Sequence, residues 1–141
     1  MSTIAPFDIH DIVHIRGVDH PESIGIGPDG TAYTTGTGCQ VYRLDLEENL
    51  GRQFSSTEAR CLGTAVDAAG NLYAAHTAGD VLKITPDGEV SVYAAPPGDE
   101  GFLCTNYPAF DRQGRMYLSD SGDWSGELNG RLYRIEPGGG E

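Results

Sequence analysis

A short motif repeated three times constrains this sequence more than any other feature. In each copy a glycine is followed three residues later by a tyrosine: Gly30 and Tyr33, Gly70 and Tyr73, Gly114 and Tyr117. Successive copies are 40 and 44 residues apart. A period of about 40 to 50 residues built from short strands is typical of β-propeller blades. The spacing therefore predicts an all-β chain with about three similar antiparallel blades.

The residues around each motif predict four strands per blade, named A to D, and no helix. The predicted A strands are residues 24–26, 63–66 and 108–110, and the B strands are 32–35, 72–75 and 116–119. The C strands, which alternate apolar and polar residues, are 41–44, 81–84 and 132–135, and the D strands are 52–55 and 89–93. Aspartate and glycine form the A–B turns, since aspartate accepts local backbone hydrogen bonds and glycine permits a positive φ.

A basic residue lies ten positions after the first two tyrosines, at Arg43 and Lys83, but 17 positions after the third, at Arg134. The third B–C loop therefore carries an insertion of seven residues.

These boundaries divide the chain into an N-terminal segment (1–20), two blades (21–60 and 61–104) and an incomplete third blade (105–141). Residues 11–16, DIVHIR, predict a strand of the kind that closes a propeller ring. The third blade lacks a strand D, and three blades leave sheet faces and edges exposed. We expect the chain to be truncated before ring closure and poorly soluble, oligomeric or marginally folded alone. A small open β-solenoid and a chain that dimerises into a ring are the alternatives.

Composition limits the partners of this chain. The 141 residues include 21 acidic and 9 basic residues, for a net charge of −12, which argues against nucleic acid or an anionic membrane as a partner. There is no long apolar run and no signal-like N-terminus, so we expect a cytoplasmic protein. Cys39, Cys61 and Cys104 are odd in number and lack CxxC spacing, which favours small, reduced core residues.

The repeat also aligns positions that differ between blades. Eleven residues before each tyrosine, at the start of strand A, stand Glu22, Leu62 and Asn106. Three residues after it, at the end of strand B, stand Gly36, His76 and Asp120. These ends of A and B lie at the same end of a blade, and A is the innermost strand. Glu22, Asn106, His76 and Asp120 should therefore surround one mouth of the channel, where carboxylate and amide oxygens suit Ca²⁺, Mg²⁺ or Mn²⁺.

Each of these residues also has a purely structural interpretation. Glu22 could cap a turn, Asn106 could bond loop backbone, Asp120 could cap the turn in SDSGDW, and His76 could be a satisfied polar side chain. Trp124, in the inserted loop at the same mouth, could form the wall of a substrate pocket or pack against its own loop.

Two segments carry a family resemblance: HPESIGIGPDGTAYTTG (residues 20–36) and TNYPAFDRQGRMYLSDSGDW (105–124). They resemble the first and third blades of the family of gluconolactonase, regucalcin (senescence marker protein) and the luciferin-regenerating enzyme. The strictosidine-synthase-like proteins share the Pro-Glu-Ser opening. The resemblance implies a six-bladed propeller with one divalent cation at the channel mouth, Ca²⁺ first and Mg²⁺, Mn²⁺ or Zn²⁺ as alternatives.

The resemblance also implies residue roles. Glu22 matches a metal ligand, and Asn106 matches a residue of the metal or substrate shell, with His76, Asp120 and Trp124 as further candidates for substrate contact. The remaining ligands and the general base are expected beyond Glu141, in missing C-terminal blades. Tyr107 follows Asn106 where the family usually has aspartate, which alters the expected pocket.

The activity implied is hydrolysis of a lactone or small ester, with the cation polarising the carbonyl. No G-x-S-x-G motif for a serine nucleophile is present. A non-catalytic propeller that serves as a binding scaffold, and a strictosidine-synthase-like condensing enzyme, are the alternative functions.

Overall fold

The computed structural model describes residues 13–96, 98 and 101–140, which form three antiparallel sheets without an α-helix in those residues. The first sheet contains β1 (Gly25–Ile26), β2 (Ala32–Thr35), β3 (Gln40–Asp45) and β4 (Leu50–Ser56). The second contains β5 (Cys61–Val66), β6 (Leu72–His76), β7 (Asp80–Ile84) and β8 (Val90–Ala94). The third contains β9 (Thr105–Phe110), β10 (Met116–Asp120) and β11 (Arg131–Ile135). Neighbours along the chain are also neighbours in each sheet, so the sheets are blades 1, 2 and 3.

Each predicted strand of the three blades is present, and its ends differ from the prediction by at most three residues. The predicted A–B turns are confirmed, because Gly30, Gly70 and Gly114 have φ values of +84°, +83° and +78°. Asp67 and Asp111 accept hydrogen bonds from backbone amides of their own turns. Local turn chemistry therefore sets the same strand pairing in each blade.

The strand register confirms the repeat alignment. Each motif tyrosine lies opposite the basic residue of the neighbouring C strand: Tyr33 and Arg43, Tyr73 and Lys83, Tyr117 and Arg134. The seven-residue insertion falls in the loop of residues 121–130, between β10 and β11. The third sheet has only three strands in the described residues, as predicted.

The core lies between blades rather than within them. We call the face that carries the motif tyrosine the outgoing face, and the opposite face the incoming face. The outgoing face of blade 1, with Tyr33 and Val41, packs on the incoming face of blade 2, with Leu72 and Ile84. The outgoing face of blade 2 packs in the same way on the incoming face of blade 3, through Tyr73, Ala75, Val81, Met116 and Leu118.

The N-terminal segment differs from its prediction. Residues 11 and 12 of the predicted closing strand lie outside the described residues, and residues 13–15 form no strand. Arg16 makes an isolated parallel bridge to Leu50, after which the chain turns at Gly17, whose φ is +78°. Ile15 and Val18 pack on the incoming face of blade 1, against the cluster of Ala32, Tyr42 and Leu44. The described part of the segment therefore covers a blade face with side chains instead of pairing as a strand.

The three cysteines are free, as predicted, but only Cys61 belongs to the core. Its burial raises the pKa of the thiol to about 11, which keeps it protonated and unreactive. Cys39 and Cys104 are half-buried. Among the described residues no helix is long and apolar enough to cross a membrane.

Candidate functional site

The predicted mouth is built from the starts of the first strands of the blades, which contact one another from blade to blade. Ser23, beside Glu22, donates its hydroxyl to the Leu62 carbonyl oxygen at 3.0 Å and shares a 2.9 Å hydrogen bond with Thr64. Gly63 lies so close to β9 that a Cβ there would overlap the Asn106 carbonyl oxygen. Glu22 and Asn106 therefore flank Leu62 and Gly63 at the same end of three adjacent strands.

Glu22 presents a carboxylate at the start of the first blade. Its side chain is partly exposed, and its Oε1 accepts a hydrogen bond from Nη2 of Arg60 in an ion pair. Its Oε2 has no hydrogen-bond donor within residues 13–96, 98 and 101–140. One carboxylate oxygen of Glu22 is thus neutralised by the guanidinium, and the other is available to a ligand.

Asn106 presents an oriented amide at the start of the third blade. Its Nδ2 donates to the Ser121 hydroxyl at 2.8 Å, and its side chain is half-buried. In the part of the chain that the structure describes, no donor is bonded to its Oδ1. Because the amino group is held by Ser121, the amide oxygen has a defined direction and remains free to bind a cation or a substrate hydroxyl.

His76 is buried and both of its ring nitrogens are occupied. Its Nε2 accepts the backbone N–H of Ala59 at 3.0 Å, so its proton lies on Nδ1, which is 2.5 Å from Oδ1 of Asp80. This is the satisfied polar side chain that the sequence left open as an alternative. The contacts of His76 fix the chain before β5 and leave no ring nitrogen for a ligand.

Asp120 has the same structural role one blade later. Its buried carboxylate accepts backbone N–H groups from Leu103 at 2.7 Å, Cys104 at 2.8 Å and Gly122 at 2.9 Å. His76 and Asp120 occupy equivalent repeat positions, and both hold the segment that leads into the first strand of their own blade. The repeat therefore predicts that His76 and Asp120 lie at the same place in their blades. It does not predict that both accept hydrogen bonds from backbone amides.

Trp124 lies in the inserted loop, with a φ of +60° and 78% of its surface exposed. The loop is held by Asp123, which accepts from Nδ2 of Asn129 at 2.7 Å and from the Ser125 amide at 2.9 Å. Hydrogen bonds from Ser125 and Asn129 lower the pKa of Asp123 to about 2. Among the described residues no ring contact or hydrogen bond joins Trp124 to Glu22 or Asn106, so its contact with a substrate stays a prediction.

Arg60 was not among the site residues predicted from the sequence. It is the only cationic side chain bonded to Glu22 in the described residues. It stands 13 residues before Tyr73, where blades 1 and 3 carry His20 and Cys104. Counting back from the motif tyrosines, which identified Glu22 and Asn106, could also have found Arg60. It is the only permanently charged residue among the three equivalent positions.

The described residues do not form a complete cation site. Among them, no group of three or more His, Cys, Asp or Glu side chains could hold a metal ion. Glu22 and Asn106 offer oxygens, the ligand type that hard cations prefer, but Ca²⁺ takes six to eight ligands and Mg²⁺ six. The donor set fits such a cation chemically and is too small to hold it tightly.

A cavity of the described residues lies away from this mouth. It is an open cleft of about 800 Å³ between blades 2 and 3, at the end of the A–B turns, and Tyr73, Lys83, Tyr93 and Asp111 are among its lining residues. The Asp111 carboxylate is paired with Arg115 at 2.7 Å. We therefore interpret this cleft as a gap in blade packing.

No protein-family model and no curated protein matches the sequence. Solved structures match it by fold. A gluconolactonase from Xanthomonas campestris is 22% identical with a TM-score of 0.61, and the match covers 75% of this chain and 36% of that one. Regucalcin, a calcium-binding protein from Agrobacterium tumefaciens, is 26% identical with a TM-score of 0.57, covering 75% and 40%. Hydrazine synthase from Kuenenia stuttgartiensis, 17% identical with a TM-score of 0.66, covers 82% and 34% and shows the fold alone.

These matches show that the chain forms β-propeller blades, which confirms the predicted all-β fold class. Closure of the blades into a ring stays a prediction. The chain spans about a third to two fifths of the length of these structures. Its similarity to the gluconolactonase and to regucalcin supports the family resemblance noted in the sequence, so the blades are gluconolactonase/regucalcin-like.

Proposed function

We propose that this chain supplies part of a metal-dependent hydrolase that opens lactones or small esters at the channel mouth of a complete propeller. The observation that carries the proposal is the pair of uncommitted oxygens, Oε2 of Glu22 and Oδ1 of Asn106, at the starts of first strands in gluconolactonase-like blades. The support is the chemistry of these oxygens together with the family similarity.

The residues of this chain would bind and orient. In this proposal Glu22 supplies the negative charge that attracts a cation, and Ser121 fixes the Asn106 amide through its Nδ2, which leaves the amide oxygen for the cation. The hydrogen bonds of Ser23 and the close approach of Gly63 to β9 set the spacing between the two ligands. A bound divalent cation, Ca²⁺ first and Mg²⁺, Mn²⁺ or Zn²⁺ as alternatives, would polarise the lactone carbonyl and stabilise the oxyanion.

The remaining ligands and the general base belong, in this proposal, to further blades that complete the ring. The proposed partner of the site is a small lactone or ester, with no nucleic acid or membrane involved. The net charge of −12 and the free cysteines support a cytoplasmic location as part of the same proposal.

Lactone opening by the complete protein, measured with and without a chelator, tests the function. We expect the chelator to abolish activity, and Glu22→Gln and Asn106→Ala each to reduce kcat/KM by about tenfold or more, the loss for removing a transition-state contact worth about 1.4 kcal/mol. Glu47→Gln is the matched control, because Glu47 is an exposed acid of the β3–β4 turn. Activity that survives both the chelator and Glu22→Gln would overturn the metal mechanism and favour the scaffold or condensing-enzyme alternatives.

A further inference from the structure

The partner of Glu22 is unusual for a metal ligand, because a permanent cation of the same chain already holds one of its oxygens. Arg60 reaches Glu22 from the residue directly before β5, the first strand of the second sheet. The equivalent residues of the other blades do not bring a guanidinium to the mouth, since they are His20 and Cys104. The charge is therefore specific to the blade that faces Glu22.

The backbone that carries Arg60 is held on both sides. The Arg60 carbonyl accepts both the backbone N–H and the hydroxyl of Thr77, each at 2.9 Å. The preceding amide, of Ala59, donates to Nε2 of His76, whose ring is in turn fixed by Asp80. Buried His76, paired with the partly exposed Asp80, thus has a role that the proposed mechanism does not use: it fixes the backbone from which the Arg60 side chain extends.

The guanidinium itself is incompletely satisfied in this position. Arg60 bonds Glu22 through Nη2 alone, although guanidinium and carboxylate can pair through two parallel hydrogen bonds. Its Nε is buried and has no acceptor in the described residues. An unpaired buried donor weakens this arrangement, and in the described part of the chain Glu22 is the only acceptor bonded to the guanidinium. A competing cation that binds both oxygens of Glu22 would release Arg60 to solvent, where each N–H is hydrated.

We propose that Arg60 sets the cation affinity of the mouth by holding Oε1 of Glu22 when no cation is bound, so that a divalent cation that takes both carboxylate oxygens must displace it. The inference rests on the proposed function for the identity of the competing cation. The competition itself is inferred from the Arg60–Glu22 ion pair. Removing the guanidinium should strengthen cation binding, whereas removing the carboxylate should abolish it.

Calorimetric titration of the full chain with Ca²⁺ to millimolar concentrations tests the competition. We expect Arg60→Gln to lower the Kd for Ca²⁺ about three- to fivefold, the effect of losing an exposed ion pair. Arg60→Lys should stay close to the unmodified chain. Arg52→Gln is the matched control, because it removes one positive charge from the Asp45 pair on the outer strand of blade 1 and leaves the mouth untouched. Glu22→Gln should abolish binding in both backgrounds.

A double-mutant cycle on thermal stability, without added cation, separates the pair from the metal. The Glu22→Gln and Arg60→Gln variants should show a non-zero coupling. No coupling would mean that the pair does not form, which overturns the inference and leaves the lactonase proposal intact. An unchanged or weaker Ca²⁺ affinity in Arg60→Gln would also overturn it, as would Ca²⁺ binding to none of the variants. The lactone assay decides the function independently.

Discussion

The outgoing faces of blades 1 and 2 are buried, whereas the same face of blade 3 is open. Val41 and Val81 are 0% exposed, and their repeat equivalent Leu132 is 84% exposed. Tyr33 and Tyr73 are buried in the same way, but 42% of Tyr117 is exposed. All three blades pair their B and C strands in the same register. Blade 3 therefore keeps the same strand register although no described blade covers its outgoing face.

The opposite end of the described structure is not left open. The incoming face of blade 1 is covered by Ile15 and Val18 of the N-terminal segment. Of the two outer faces of the described blades, one is thus covered by its own chain and the other is open. In the first internal seam the equivalent outgoing face is covered by aliphatic residues such as Leu72 and Ile84.

The largest expected effect comes from placing a charge on equivalent positions of the buried and open faces. Val81→Asp should destabilise the chain by at least about 3 kcal/mol, because the carboxylate would be buried without a partner. Leu132→Asp should change stability by less than about 0.5 kcal/mol, since its side chain is in solvent. Urea unfolding of both variants measures the difference.

The outcome of Leu132→Asp has a second use. A loss of stability comparable to that of Val81→Asp would show that the open face is covered in solution, by a second copy or by another chain. Size-exclusion chromatography of the unmodified chain and of Leu132→Asp would then distinguish association from a monomer. A monodisperse monomer with a steep unfolding transition would show that three blades are enough for a stable fold.

The strands were predictable because their signals are local. Alternation in the C strands and the Asp–Gly turns act within a few residues, and the repeat provided three copies of each. The predicted strand over residues 11–16 was wrong for residues 13–15, because Gly17 turns the segment and its apolar side chains face Ala32 and Tyr42 instead. An apolar pattern predicts burial but does not distinguish a strand from a covering segment.

The candidate site was predictable in position but not in its pairings. Counting from the tyrosines placed Glu22, Asn106, His76 and Asp120 at the same end of their blades. The strand pairing puts His76 beside Cys61 and Asp120 beside Thr105, at the starts of β5 and β9. The partners could not be read from the repeat, because they come from loops of neighbouring blades or from backbone amides. His76 bonds the Ala59 amide and Glu22 bonds Arg60, contacts that depend on how the blades approach each other.

A second contrast concerns the starts of the first strands, where Gly63 in a closed seam and Tyr107 on the open blade are repeat equivalents. A Cβ at Gly63 would lie 2.6 Å from Cα of Tyr107. Gly63→Ala should therefore push β9 away and destabilise the chain by about 1–3 kcal/mol. Tyr107 is 48% exposed, so Tyr107→Ala should cost less than Gly63→Ala. Equal losses in thermal unfolding would contradict the close approach of the two blades.

A smaller effect concerns pH and the buried Tyr73. Burial acts to raise the pKa of Asp67, but hydrogen bonds from Asn71, Tyr73 and Ala69 outweigh it, so the pKa lies below its model-peptide value of 3.8. Ionised Asp67 therefore stabilises the fold above pH 3.8, and this contribution is lost as the pH falls through the lowered value. Tyr73→Phe removes one of these bonds and should make the loss of stability in acid less steep.

Tyr117→Phe on the open face is the control, since Tyr117 makes no bond to Asp111 in the described residues. Equal acid profiles for Tyr73→Phe and the unmodified chain would contradict the role of the Tyr73 bond.

The smallest expected effects compare the two closed seams with each other. Arg43 bridges the first seam: its guanidinium lies 4.9 Å from the centre of the Phe54 ring, and its Nη2 donates to the Pro86 carbonyl at 2.6 Å. Lys83 is its equivalent in the second seam, where the 800 Å³ cleft opens instead. Arg43→Lys should cost about 0.5–1 kcal/mol, since it loses the planar stacking and the carbonyl bond. Pro137 is the repeat equivalent of Pro86. We expect the guanidinium of Lys83→Arg to reach the Pro137 carbonyl and to raise the free energy of unfolding by a few tenths of a kcal/mol. Urea unfolding of both variants measures the pair, and a gain from Arg43→Lys would show that the guanidinium strains the first seam rather than closing it.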